Sequence, residues 1–458
     1  MKKITLLSIT CGVMMCLQSS AQLPQTLTNR LSEVLDSVCL RYKIKGASAA
    51  VHFPNAGTWK RGYGYSQQNV PITTDMYFGM GSNTKTHIAA LLLNMQENGL
   101  LNLNDTIGKW IQGYPNINGQ ITIRQCLNHT SGLYDYMQSD AINDSIFGKP
   151  AKIWTREEIM RVAKTPNFPP ASAWDYSNTN YIVTGIIISK VLNQSPWTAL
   201  NTRLLAPHGL NHTKNFGDAG ATPLAHPWST ILTGAEMEDM TQTPYLDNLF
   251  SLANTAGSLL TTAEDNVLFW HLLTTGKLLN STSWGEMTQT INIGGGDGYG
   301  LGIFKYNNEL NGRGAYSHGG TFFGYINENA VDITSGITFS VLTNQDSLSN
   351  NLLFGTVIRA LHKVSLQIPA GTKRVNRNPF VQLHPNPASD HIRIQYNEDI
   401  SLAKAEICDI TGRVLQSEIL PLNVSNYEIA LKQKAGIYLL QLFDKDNNLL
   451  HVERIIIK

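Results

Sequence analysis

Apolar residues at Ile88, Leu91, Leu92 and Met95 recur at i, i+3, i+4 and i+7, which predicts a helix with one buried face, stopped near Gly99. Upstream, Leu27, Leu31, Val34, Leu35 and Val38 predict a helix over residues 26–42. Two runs at 47–53 and 58–65 read as strands joined at Pro54-Asn55-Ala56-Gly57. Residues 100–197 are mostly helical and loop-rich. In them Thr155-Arg156-Glu157-Glu158 has the form of a capping box that opens a helix to about Ala163. An apolar helix is expected over 181–192, and helical patterning over 249–279 with Thr262 as an N-cap. Strand patterns follow at 299–306, 315–317, 324–332 and 336–344, and a last helix at 352–364. Strand pair, helical insert, strand meander and terminal helix imply an α/β (α+β) fold: an antiparallel sheet flanked by helices, completed by distant parts of the chain.

Residues 367–378 break the pattern, because 369–378 are rich in Pro, Gly, Lys, Arg and Asn; they read as a linker. Beyond it lie seven short alternating segments, at 380–383, 391–395, 405–410, 413–419, 427–431, 436–443 and 449–457, with Thr411-Gly412 as a hairpin turn. A separate small β-sandwich over 379–458 is expected.

Composition narrows the setting. A chain of 458 residues is long enough for two or three domains, and a net charge of +1 gives no electrostatic case for nucleic acid or an anionic membrane surface. Charged residues are only 15%, which suits an exported globular protein. Met1-Lys2-Lys3, the apolar stretch 4–17 and the small residues Ser19-Ser20-Ala21 predict a signal peptide over 1–21, with the main domain over 22–366. That apolar stretch is shorter than the roughly 20 residues a span needs, which argues against an N-terminal anchor, and no other apolar stretch approaches that length, so no transmembrane segment is expected in the mature chain. Bulky Met15 before Cys16 argues against a lipoprotein signal. Cys39, Cys126 and Cys408 then remain, too scattered for a metal cluster or a disulfide framework. No metal and no cofactor is expected, and Cys408 between Ile407 and Ile410 reads as a buried strand residue.

Candidate chemistry begins ahead of the first apolar helix, in Gly79-Met80-Gly81-Ser82-Asn83-Thr84-Lys85. Ser82 and Lys85 lie nearly one turn apart at the mouth of a helix, whose N-terminus adds positive potential. A lysine can take a serine proton only when burial and neighbouring cations lower its pKa. The plain alternative is an N-capping Ser82 with an exposed Lys85. Tyr176-Ser177-Asn178 falls in a loop before a buried helix, where Tyr176 and Asn178 can point into one cleft; otherwise Tyr176 packs and Asn178 caps. In Tyr316-Ser317-His318-Gly319-Gly320-Thr321 the two glycines allow a ligand backbone to approach, and the imidazole supplies a donor or a titratable group; otherwise this is a tight turn with a surface histidine. Residues 127–133, with His129 and Ser131, read as a polar structural loop.

Taken in order, Ser82-Asn83-Thr84-Lys85, Tyr176-Ser177-Asn178 and His318-Gly319-Gly320 resemble the penicillin-recognising serine hydrolases: class C β-lactamases, D-alanyl-D-alanine carboxypeptidases and related esterases and D-aminopeptidases. The resemblance spans about residues 25–365. It implies that Ser82 attacks a carbonyl to form an acyl-enzyme, Lys85 takes its proton, and Tyr176 relays protons to the leaving group and to the deacylating water. It also implies that Asn178 bonds the substrate amide, that His318 holds a carboxylate or the proton network, and that the backbone N–H groups of Ser82 and Thr321 form the oxyanion hole beside Gly319 and Gly320. Histidine where many β-lactamases carry lysine looks more like the carboxypeptidase and esterase side of the family. Substrates implied are a D-amino peptide, an ester or a β-lactam-like molecule. A catalytically silent relative that binds peptidoglycan fragments or a partner is the alternative.

The C-terminal module has its own likeness. Leu383-His384-Pro385-Asn386-Pro387, Asp409-Ile410-Thr411-Gly412-Arg413 and Gly436-Ile437-Tyr438-Leu439-Leu440 are similar to the type A sorting domain of the type IX secretion system. That implies the secretion machinery as a partner through 379–458, and a secreted or outer-surface protein that travels via the periplasm.

Overall fold

Strand Gly46–Phe53 is buried along its whole length and sits inside a ten-stranded sheet, flanked by Gly57–Gln67 on one side and Thr338–Thr343 on the other. This is a computed structural model, and it describes residues 23–348, 350–366, 381–396, 402–409, 414–421, 426–445 and 449–458. The expected signal peptide, the expected linker and the turn at Thr411-Gly412 lie outside the described residues. The chain divides into two compact units: the larger comprises Leu23–Pro54 and Thr58–Gly371, and the smaller includes Thr372–Lys458.

In the larger unit the sheet runs, edge to edge, Val70–Pro71, Gly57–Gln67, Gly46–Phe53, Thr338–Thr343, Tyr325–Asp332, Arg313–Ser317, Phe304–Leu310, Asp297–Tyr299 and Ile291–Gly294, with Gly320–Phe322 paired to Tyr325–Asp332. Its centre is antiparallel: Ala47 faces Thr343, and Thr343 in turn faces Ile326. Sequence-distant strands thus meet in the middle, as the element order implies. Strands Gly46–Phe53, Tyr325–Asp332 and Thr338–Thr343 are buried on both faces because helices cover both. Helix Ala263–Thr274, capped by the Thr262 side chain on Asp265 N, packs against Gly46–Phe53 and Thr338–Thr343. Helices Gln25–Arg41 and Arg359–Ser365 pack on each other.

Three differences from the sequence reading have physical causes. The helix carrying Lys85, Thr84–Glu97, is buried from Thr84 through Leu93 and at Met95, so it is a central helix and not an amphipathic one. Residues 249–279 are not continuously helical: Tyr245–Ala253 stops, Leu259–Thr261 forms a strand between Phe78–Gly79 and Thr213–Asn215, and Ala263–Thr274 resumes. The strand expected over 299–306 is two strands, Asp297–Tyr299 and Phe304–Leu310, parted at Gly302, which is left-handed at φ +68°. The capping box at Thr155 is present in full, with Thr155 accepting from Glu158 N and Glu158 reaching back to Thr155 N.

Among the described residues the smaller unit has seven strands in two sheets, one of Val381–His384, His391–Tyr396 and Asn426–Ala430, the other of Val414–Ile419, Lys404–Cys408, Gly436–Phe443 and Leu449–Ile457. Ile392, Ile394, Ile407, Leu440, Leu442 and Ile455 make its core, the inward positions of alternating strands. Cys408 is buried at a strand end.

Candidate active site

The turn that carries Ser82 is held by backbone packing that only glycine permits. Strand Phe78–Gly79 leads into a short 3-10 turn, Gly81–Asn83, and then into helix Thr84–Glu97. Gly81 is left-handed at φ +49°, and a Cβ there would stand 2.6 Å from the Thr321 carbonyl oxygen. A Cβ on Gly320 would stand 1.8 Å from the Met80 oxygen. The glycine of the third motif therefore admits the Ser82 turn, where the sequence reading expects a ligand backbone. Asn327 Nδ2 clasps the same turn, donating to Gly79 O at 3.1 Å and Met80 O at 2.8 Å. Ser82 and Thr321 are thus held side by side.

Lys85 is fully buried, and its ammonium donates to three oxygens: Ser82 Oγ at 3.0 Å, Asn178 Oδ1 at 2.8 Å and Ala256 O at 2.8 Å. Burial lowers its pKa from 10.5 to about 7, against the opposing pull of Asp135. Asp135 itself is buried and raised by that burial, partly offset by hydrogen bonds from Met137 N and Asn178 and by Lys85. Asn178 Nδ2 donates to Asp135 Oδ2 at 2.9 Å, so one carboxamide bridges the lysine and the aspartate. Asn178 does not cap its helix, and with its oxygen on Lys85 it keeps one N–H for a ligand.

Tyr176 stands on the other side of the lysine, its ring 4.9 Å from Lys85 Nζ. Its hydroxyl is shielded from solvent and meets no partner at full hydrogen-bond geometry among the described residues. Burial pushes the phenol well up, and the Ser82 hydroxyl nearby offsets part of that push. The ring stacks on His129 with centroids 4.2 Å apart. His129 is left-handed at φ +62° and its Nδ1 accepts from Ser177 N at 3.2 Å and Asn180 Nδ2 at 3.1 Å, which leaves the proton on Nε2. The polar loop at 127–133 is therefore more than a loop: it supplies the platform under Tyr176.

His318 is buried rather than on the surface. Its Nδ1 lies 2.7 Å from Gly319 O and its Nε2 3.1 Å from the Tyr299 hydroxyl, so Nδ1 donates and Nε2 accepts. Burial, and then Lys85, lower its pKa to about 3. This is a neutral imidazole with both nitrogens engaged in hydrogen bonds.

Two cavities meet at Ser82 and Thr321. One, of about 450 Å³, is lined by Asn178 and by apolar side chains including Leu249, Leu252, Phe322 and Phe323. The other, of about 620 Å³, is lined by Tyr176, His318, Phe304, Tyr306 and charged residues. Among the described residues no group of three or more His, Cys, Asp and Glu is placed to hold a metal, and no helix is long and apolar enough to cross a membrane. All the residues singled out from the three motifs thus lie around one cleft. Asp135, Tyr299 and Asn327 join them, with His129 from the loop read as structural; Asp135 caps the turn Tyr136–Gln138.

Residues 24–358 match the family model described as beta-lactamase. The chain belongs to the beta-lactamase family. Within this family it is 28% identical over 311 residues to the putative penicillin-binding protein PbpX of Bacillus subtilis, covering 66% of this chain and 71% of that one. A D-stereospecific amidohydrolase from Streptomyces superposes with a TM-score of 0.64 at 27% identity, covering 72% of this chain and 98% of that one. D-amino acid amidase from Ochrobactrum anthropi SV3 gives 0.63 at 25% identity, over 74% and 98%. The beta-lactamase-like unit is followed by a second match: residues 382–458 fit the model of a secretion system C-terminal sorting domain.

Proposed function

We propose that this protein is a secreted or surface-exposed serine hydrolase that cleaves an amide or ester through an acyl-enzyme on Ser82. The observation that carries the reading is the 3.0 Å hydrogen bond between Lys85 Nζ and Ser82 Oγ, made by a lysine whose pKa is lowered to about 7. Near neutral pH a large share of Lys85 is a free amine and can accept the serine proton. Ser82 Oγ then bonds to the substrate carbonyl carbon while the oxyanion faces the backbone N–H groups of Ser82 and Thr321. The C–N or C–O bond breaks as the leaving atom takes a proton through Tyr176, and water later cleaves the acyl ester with the same groups in reverse. His318, Gly319 and Gly320 form the wall that keeps Thr321 against Ser82, and Asn178 offers its remaining N–H to the acyl amide.

The likeness to a D-stereospecific amidohydrolase and a D-amino acid amidase supports an amide of a D-amino acid as the substrate to try first. The sorting-domain match supports export, which puts the substrate outside the cell. Incubation with a fluorescent penicillin, a short-chain nitrophenyl ester and a D-amino acid amide tests the mechanism. Turnover or labelling with at least one is expected, and Ser82→Ala should lower it by at least about 10³-fold, because such groups act as a unit. Full activity in Ser82→Ala would refute it.

A further inference from the structure

We propose that the cleft selects substrates by charge on the leaving side of the scissile bond, favouring a cationic leaving group and disfavouring one that ends in a carboxylate. This deepens the acyl-enzyme reading and rests on it.

Direction comes first. Ser82 and Thr321 line both cavities, so the reacting carbonyl sits where the two meet. A group that hands a proton to the leaving atom must stand on that atom's side. Tyr176 lines only the second cavity, and its hydroxyl is shielded there beside Ser82. Asn178 lines only the first. The acyl part therefore belongs in the first cavity, whose Ile231, Leu249, Leu252, Phe322 and Phe323 suit a large apolar side chain, and the departing part in the second.

The second cavity is acidic. Asp297, Glu309 and Glu328 line it; Arg359, the cation among its described lining residues, is ion-paired with Glu309, so Asp297 supplies the excess negative charge whatever offsets Glu328. All three carboxylates act on one phenol in its wall: after burial, Tyr306 is raised by Glu328, Asp297 and Glu309 in turn. Phe304, Tyr306 and Phe354 give the cavity low-dielectric walls, which focus that field on whatever enters. His318 cannot balance it, being neutral with both ring nitrogens bonded. A carboxylate leaving group would meet like charge here, and an ammonium would be drawn in.

Three amides sharing one D-phenylalanyl acyl group test this on the full chain, with leaving amines of matched size: ethylenediamine (cationic), propylamine (neutral) and glycine (anionic). We expect kcat/KM to fall in that order, by about tenfold per unit of charge at low ionic strength. The spread should shrink in roughly 0.5 M salt. Asp297→Asn and Glu309→Gln should each reduce the ratio of cationic to neutral rates, a readout that a general loss of folding would not move. A glycine derivative cleaved as fast as the cationic one, a ratio unchanged in both variants, or failure to cleave any of the three while a nitrophenyl ester still acylates Ser82, overturns the charge selection alone. Absence of any Ser82 acylation sinks the acyl-enzyme reading, and this proposal with it.

Discussion

Lys85 is set between two opposed influences, and Asp135 is the one that substitution can remove cleanly. Burial drives the lysine toward the free amine, and Asp135, reached through Asn178, holds part of the charge in place. Asp135→Asn removes the charge that raises the lysine pKa, so the acidic limb of the kcat/KM profile should move below about pH 7. A limb that stays put or moves up would show that the aspartate does not act on the lysine. Ser82, Lys85, Tyr176 and His318 are legible in the sequence because their chemistry is local to short motifs. Asp135 is not, since it stands 43 positions before Asn178 and meets it only in the folded chain. The ring of His129 under Tyr176 is hidden for the same reason.

Among elements, the site depends on how closely strand Gly320–Phe322 approaches the Ser82 turn. Gly320→Ala would put a methyl 1.8 Å from the Met80 oxygen, backbone against backbone, so the strand or the turn must shift. A shift of about 1 Å can cost on the order of 10²-fold in rate. The variant should lose most of its activity and be destabilised by about 1–3 kcal/mol, seen as a lower denaturation midpoint. Activity near the unsubstituted level would mean that the contact does not position Ser82. Helix and strand patterns give the antiparallel sheet and its helical insert, because periodicity reports the buried face. They miss strand Leu259–Thr261, whose three residues are too few to show a period and are extended only because Phe78–Gly79 and Thr213–Asn215 flank them.

At the scale of the whole molecule, several histidines are enclosed in neutral form. Burial lowers His87 and His318 to about 3 and His52 to about 4, from an ordinary 6.5. The unfolded chain therefore takes up protons below about pH 6.5 that the fold refuses until about pH 3–4, and stability falls with pH across that window. Asp332 adds to the loss at lower pH: against the upward push of burial, hydrogen bonds from His362, Ser335 and Thr334 N hold it below the usual carboxylate range. Urea unfolding should show a drop on the order of a few kcal/mol between about pH 7 and pH 5; a flat profile would contradict it. The mechanism itself is tested most directly by intact-mass and peptide mapping of the full chain after brief exposure to an activated nitrophenyl ester across a pH series. One acyl adduct is expected, on Ser82, forming at a rate that rises with pH to half its maximum near pH 7, where Lys85 gives up its proton. An adduct on another residue, or acylation of Ser82 at a rate indifferent to pH from about 5 to 9, would contradict it.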